Sequence, residues 1–133
     1  MLDEALLLIR LVTGLLFAGH GAQKLFGWFG GHGLKGTGGF MESLGMRPGL
    51  QMAFMAGLLE LAGGLLFALG LFTPVAAACI VITMLVAIVK VHGRNGLWVT
   101  SGGIEYNLVL IAVALTVAMS GAGAYSLDVR LFS

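Results

Sequence analysis

Ionisable side chains interrupt stretches that are otherwise apolar enough to enter a bilayer. The run LLLIRLVTGLLFAGHGAQKLFGW, from Leu6 to Trp28, carries Arg10, His20, Gln23 and Lys24. Glu60 stands near the middle of a second apolar run, Lys90 and His92 close a third, and Glu105 and Asn107 open a fourth. Charged groups at such depth are costly unless they face a protein interior or a wet cavity, so each is a candidate functional residue. Carboxylates and imidazoles beside cations are also the groups whose proton affinity moves readily toward neutrality, as proton-coupled chemistry requires. Structural roles compete with this: Lys24 and Lys90 can snorkel to headgroups, His92 can be a solvated loop residue, and Arg10 with Glu60 can be an ion pair that only holds helices together. The convergence of these residues favours function over any of them taken singly.

Four apolar segments must position these groups, predicted as helices at 5–29, 50–69, 74–91 and 103–122. At 100° per residue, Arg10, Thr13, Phe17, His20 and Lys24 fall within an arc of about 100°, with Gly14 and Gly21 beside it. A polar stripe flanked by small residues is the face a membrane helix turns toward its neighbours. Gly57 and Gly64 flank Glu60 in the same way, and Ala76, Cys79, Thr83, Ala87 and Lys90 share one arc of the third helix. The uncharged stretch 61–89 is too long for one span. Gly70 as a left-handed helix end, Thr73 as N-cap and Pro74 in the first turn are expected to break it into a tight hairpin. The glycine-rich segment 30–49 follows the interfacial aromatics Trp28 and Phe29, and Phe40, Met41 and Leu44 predict a short amphipathic helix near 38–45. Gly31, Gly33 and Gly36 match GxGxxG formally, but with no strand before them they do not predict a nucleotide site.

Composition sets the class. Of 133 residues, 59% are hydrophobic and only 10% charged, and the mean hydropathy is +1.02. A soluble domain has about 25% charged residues, so the expectation is a single all-α integral membrane domain, 1–133: a four-helix bundle with a short interfacial or re-entrant helix between helices one and two. A net charge of +1 without a basic tract excludes a nucleic-acid partner. Cys79 is the only cysteine, so an intramolecular disulfide or dithiol relay is excluded. An acidic start, Met-Leu-Asp-Glu, argues for a retained first helix rather than a signal peptide. Four spans put both termini on one side and Lys24, Lys35, Arg47, Lys90 and Arg94 on the other, so the positive-inside rule places the long loops in the cytoplasm and the termini outside. His20, Lys24, Lys90, His92 and Glu105 then lie near the long-loop face. Arg10, about 20 Å of helix from Lys24, is expected to pair with Glu60 at the closed end of a polar funnel.

The run GHGAQKLFGWFGGHG, Glu60 with the GGLLFALGLFTP hairpin, His92 with Asn95, Gly96 and Trp98, and the segments GGIEYNL and GAGAYSLD resemble the DoxX family of small four-helix membrane proteins over essentially the whole chain. The resemblance implies a place in quinone-linked redox systems of a bacterial or archaeal cytoplasmic membrane. Carried over by position, it marks His20, Lys24, Glu60, His92 and Glu105 as catalytic; the residues themselves make Arg10, His20, Lys24, Lys90 and Asn107 candidates for binding the cofactor. Quinone is the expected cofactor: His20, Lys24 or His92 would donate to its carbonyls and Glu60 or Glu105 would relay protons, with electrons from a partner protein or a bound cofactor. The three histidines lie on different elements with no metal-ligand spacing, so a metal or a haem held by His20 and His92 is not expected. The competing expectations are a scaffold that recruits soluble redox or detoxifying enzymes through its loops, and a small proton-coupled transporter. Glycine-rich helix faces also permit a homo-oligomer.

Overall fold

A computed structural model describes residues 1–132. The described residues are all helical or in connections, with no strand. Helix α1 is Leu2–Phe26, α2 is Gly33–Ser43, α3 is Gly49–Leu69, α4 is Thr73–Ala87, α5 is Glu105–Ser120 and α6 is Leu127–Phe132. Single 3-10 turns cover Trp28–Gly30, Gly93–Asn95 and Val99–Ser101, and α4 runs on through a π-helical turn at Ile88–His92. Leu2–Phe26, Gly49–Leu69 and Thr73–Asn95 are each long and apolar enough to cross a membrane. The protein is a helical membrane bundle, and its outer surface is the Leu, Ile, Val and Phe side chains that meet lipid.

The expected fourth span, 103–122, is shorter than the sequence suggests. Turns at Gly102 and Gly121 confine α5 to 16 residues, about 24 Å of helix. The short helix expected at 38–45 is longer and starts earlier, at Gly33. Glycine lowers intrinsic propensity, but packing overrides it: Thr37, Gly38 and Met41 are buried, and Gly38 lies against the backbone of Gly49 and Leu50 at the start of α3.

The α1–α3 pair is the most extensive contact in the molecule. A β-carbon on Gly14 would lie 2.5 Å from the carbonyl oxygen of Gly64, and one on Gly21 would lie 2.6 Å from that of Gly57. No side chain fits between backbones at that separation, so glycine is required on both helices. Away from this seam a buried cluster forms, with Phe17 of α1, Phe67 of α3, Ala76, Ala77, Ile80 and Met84 of α4, and Leu110, Ala114 and Val117 of α5. Helix α4 packs between α3 and α5, whereas α1 and α5 meet much less.

The α3–α4 hairpin is closed as the sequence suggests at Gly70, whose φ is 67°. Leu71 N–H returns to the Leu66 carbonyl at 2.9 Å and Gly70 N–H to Phe67 at 3.1 Å, satisfying the last carbonyls of α3. Thr73 does not cap α4, contrary to expectation. It is the first helical residue, and the cap comes from Asp128 across the chain. The Asp128 carboxylate accepts the N–H groups of Phe72 (2.6 Å) and Thr73 (2.9 Å) and the Thr73 hydroxyl (2.6 Å). Asp128 N–H in turn donates to the Gly70 carbonyl at 2.8 Å. Sequence periodicity cannot show a cap supplied from 55 residues away.

Desolvation raises the proton affinity of Asp128, but the hydrogen bonds from Thr73 and Phe72 and the charge of Arg10 outweigh it, so the folded carboxyl titrates below the ordinary carboxylate range. A depressed folded value means that the cap's contribution is fully present above the unfolded pKa, about 3.9, and is lost as pH falls through the folded value. Asp128→Ala should cost about 1 kcal/mol, the usual weight of an N-cap, at neutral pH. Thermal unfolding in detergent should show the gap to wild type closing only below the ordinary carboxylate range; a gap independent of pH down to the most acidic folded condition would contradict the cap.

Candidate functional site

Glu60 is the most deeply buried carboxylate among the described residues, 2% exposed. Its place follows from the glycine seam. Because Gly21 faces Gly57 and Gly14 faces Gly64, the antiparallel register sets Glu60 beside the last turns of α1. There the Lys24 ammonium meets Glu60 Oε1 in an ion pair. Removing two charges from water is repaid only when each has a partner, and Lys24 supplies it for Glu60. The Lys24 side chain is 28% exposed, against 3% for that of Glu60. The pair therefore runs from the packed interior to an accessible surface.

His20, one turn back on α1, extends the site outward. Its Nδ1 lies 3.1 Å from Gln23 Oε1, and Gln23 Nε2 donates to the Phe29 carbonyl at 3.1 Å. Gln23, off the polar stripe, thus ties the histidine to the turn that ends α1. The His20 ring meets the edge of Tyr106 on α5, with centroids 6.4 Å apart and planes at 61°. Tyr106 is the residue that reading the sequence missed. It lies between Glu105 and Asn107, both singled out, and a helical wheel for α5 gives no sign that it reaches α1.

The expected pairing of Arg10 with Glu60 is not what the structure shows. Arg10 lies at the opposite end of the α1–α3 seam, fully buried. Its Nη1 donates to the Ala68 carbonyl at 3.0 Å and its Nη2 to the Tyr125 carbonyl at 2.7 Å. The guanidinium thus caps the end of α3 and holds the segment leading to Asp128. Asp3 completes this clasp by accepting the Ala124 N–H at 2.9 Å. The funnel ending in an Arg–Glu pair is replaced by two separate polar sites at opposite ends of the bundle.

Among the described residues no hydrogen bond or ion pair joins the other candidates to Lys24 or Glu60. His92 Nδ1 donates to the Gly102 carbonyl at 2.7 Å, joined there by Asn95 Nδ2 at 3.2 Å. Glu105 Oε1 accepts the Val99 N–H at 3.0 Å. Both residues thus fold the connection between α4 and α5. Asn107 is buried between those helices, its Nδ2 3.3 Å from Met84 Sδ. Lys90 is exposed on the π-helical turn.

A cavity of about 310 Å³ opens beside Lys24, between the end of α1 and α2, and is lined also by Gln23, His32, Thr37 and Phe40. A second, of about 320 Å³, lies at the clasp end against Thr73 and Asp128. Only the first touches the ion pair.

A helical membrane bundle with a lysine–carboxylate pair buried beside a small cavity is thus defined by fold and site together. Its family is established by comparison: the chain belongs to the DoxX family, whose model matches residues 5–93. That span holds the whole α1–α3 seam with His20, Lys24 and Glu60, whereas Tyr106 lies beyond it. The chain is 30% identical to CatD of Bacillus subtilis, named provisionally as an oxidoreductase, over 95% of this chain and 86% of that one. It is 30% identical to the inner membrane protein YqjF of Escherichia coli, over 95% and 91%, and 32% identical to the inner membrane protein YphA, over 94% and 89%. No solved structure matches the chain.

Breaking the pair from one side leaves a buried charge without its counterion. Lys24→Met should destabilise the protein by about 3–5 kcal/mol, and Lys24→Met with Glu60→Gln by much less, since no charge remains unpaired. Unfolding of the four variants of this cycle in one detergent measures the coupling. Additive losses would mean that the two side chains do not interact.

Proposed function

We propose that this DoxX-family protein is a quinone-interacting component of a membrane oxidoreductase system, with Lys24 and Glu60 at its site. The observation that carries the reading is a buried carboxylate whose lysine partner opens onto a cavity large enough for a ring. A purely structural pair gains nothing from such an opening. The name of CatD supports a redox role. A bound quinone supplies the two-electron, two-proton chemistry. In this reading Lys24 donates a hydrogen bond to a carbonyl oxygen of the ligand. Glu60 holds the counter-charge and exchanges a proton, and His20, oriented by Gln23, passes protons toward the surface. A single cysteine cannot form an internal dithiol, so electrons come from a partner protein or a bound cofactor. The membrane is the bacterial cytoplasmic one, with the Lys24 end facing the cytoplasm.

A second reading has a specific observation behind it. Lys35, Arg47, Lys90 and Arg94 are all exposed and lie in or beside the connections on the Lys24 side. A face with several exposed cations suits docking of soluble redox enzymes, and recruitment and quinone chemistry are compatible in one complex.

Glu60→Gln and His20→Ala separate the site from the scaffold. In membranes containing the partner enzymes, quinone-dependent turnover should fall by about 100-fold for Glu60→Gln, in the range of a lost general acid–base group, and less for His20→Ala. Partner capture should be unaffected. Wild-type turnover in both variants would leave only the scaffold.

A further inference from the structure

The cavity beside Lys24 contains a group that the ion pair does not use. Thr37, on α2, is only 9% exposed and lines this cavity, and no hydrogen bond from the described residues engages its hydroxyl. The hydroxyl is not one of the fully enclosed polar atoms, so it is free to donate to whatever occupies the cavity. Lys24 lines the same cavity and has three N–H donors, of which Glu60 cannot occupy all. The cavity thus offers a charged donor and a neutral donor from two different helices, with Phe40 as an aromatic wall and Gly30 and Gly31 also lining it.

Charge selects what can bind. Lys24 and Glu60 together are neutral, so an anion would bring an unbalanced negative charge close to a buried carboxylate, and a cation would meet the lysine. Either is opposed by the like-charged member of the pair. A neutral ligand bearing oxygen acceptors leaves the balance intact. At about 310 Å³ the space is at the small end of ligand pockets; it takes a headgroup and leaves any tail outside. Phe40, 53% exposed on the amphipathic α2, marks the side on which a tail would reach lipid.

We propose that the α1–α2 cavity is the headgroup site, and that it takes a neutral ring whose carbonyl oxygens accept from Lys24 and Thr37. The inference rests on the quinone reading and locates the ring under α2 rather than between α1 and α5, where His20 meets Tyr106. Thr37, His32 and Phe40 become binding residues, and α2 becomes the roof of the site rather than a connection.

The test uses the full chain in nanodiscs of phosphatidylethanolamine and phosphatidylglycerol with a short-chain azido-ubiquinone as photoprobe, followed by peptide mapping. Adducts are expected within residues 23–40 and should be displaced by excess decylubiquinone. Thr37→Val should weaken decylubiquinone binding about fivefold, the weight of one neutral hydrogen bond, while Thr37→Ser binds as wild type. Displaceable adducts confined to residues 104–110, with Thr37→Val binding normally, would overturn the location and leave the quinone reading intact. Absence of saturable binding by the wild-type protein would overturn both. Mapping on the wild type does not depend on any variant folding.

Discussion

The backbone contact between α1 and α3 is the constraint on which the rest depends. Gly14 with Gly64, and Gly21 with Gly57, bring two apolar helices so close that only hydrogen side chains fit. In lipid there is little hydrophobic drive between helices, so close packing over such small residues is what holds them. The same contact fixes the register, because a slide along either helix would drive side chains into the opposite backbone. Register, in turn, decides which ionisable groups meet. Lys24 faces Glu60 because the glycines leave it nowhere else to go, and Arg10 reaches the far end of α3 for the same reason.

The two ends of the bundle use buried polarity differently. At the terminal end, Arg10, Asp128 and Asp3 mostly serve backbone groups, helix carbonyls, helix N–H groups and one turn, with the Thr73 hydroxyl also bound to Asp128. Such bonds satisfy orphaned donors and acceptors at helix ends, which have no other partner in an apolar setting. At the other end, Lys24 and Glu60 answer each other rather than the backbone, and the lysine opens onto a cavity. His92 and Glu105 resemble the clasp residues in this respect, since both serve the connection between α4 and α5. A side chain engaged by backbone holds structure in place, whereas Lys24 and Glu60 are engaged by each other.

Much of the fold was legible because membrane helices announce themselves through length and hydropathy, and the Gly70 turn through a residue suited to a left-handed conformation. The polar stripe on α1 and the burial of Glu60 were equally readable. The pairing was not read correctly, although its signal was present. Gly14 and Gly21 are seven residues apart, as are Gly57 and Gly64; laying the two pairs antiparallel puts Lys24, not Arg10, beside Glu60. Other features lay beyond any local pattern. Asp128 caps α4 across a long stretch of chain, α2 is lengthened by packing against its glycine content, and Tyr106 reaches His20 only through the bundle's geometry.

The central claim is that Glu60 is the proton-exchanging partner of a ligand held beside Lys24. Difference infrared spectroscopy of the protein in nanodiscs, with and without a short-chain quinone, tests it most directly. A carboxyl stretching band should change on ligand binding and be absent from the Glu60→Gln difference spectrum, while bands from the exposed carboxylates stay silent. Saturable quinone binding with no change at Glu60, or the same carboxyl band surviving in Glu60→Gln, would contradict the account.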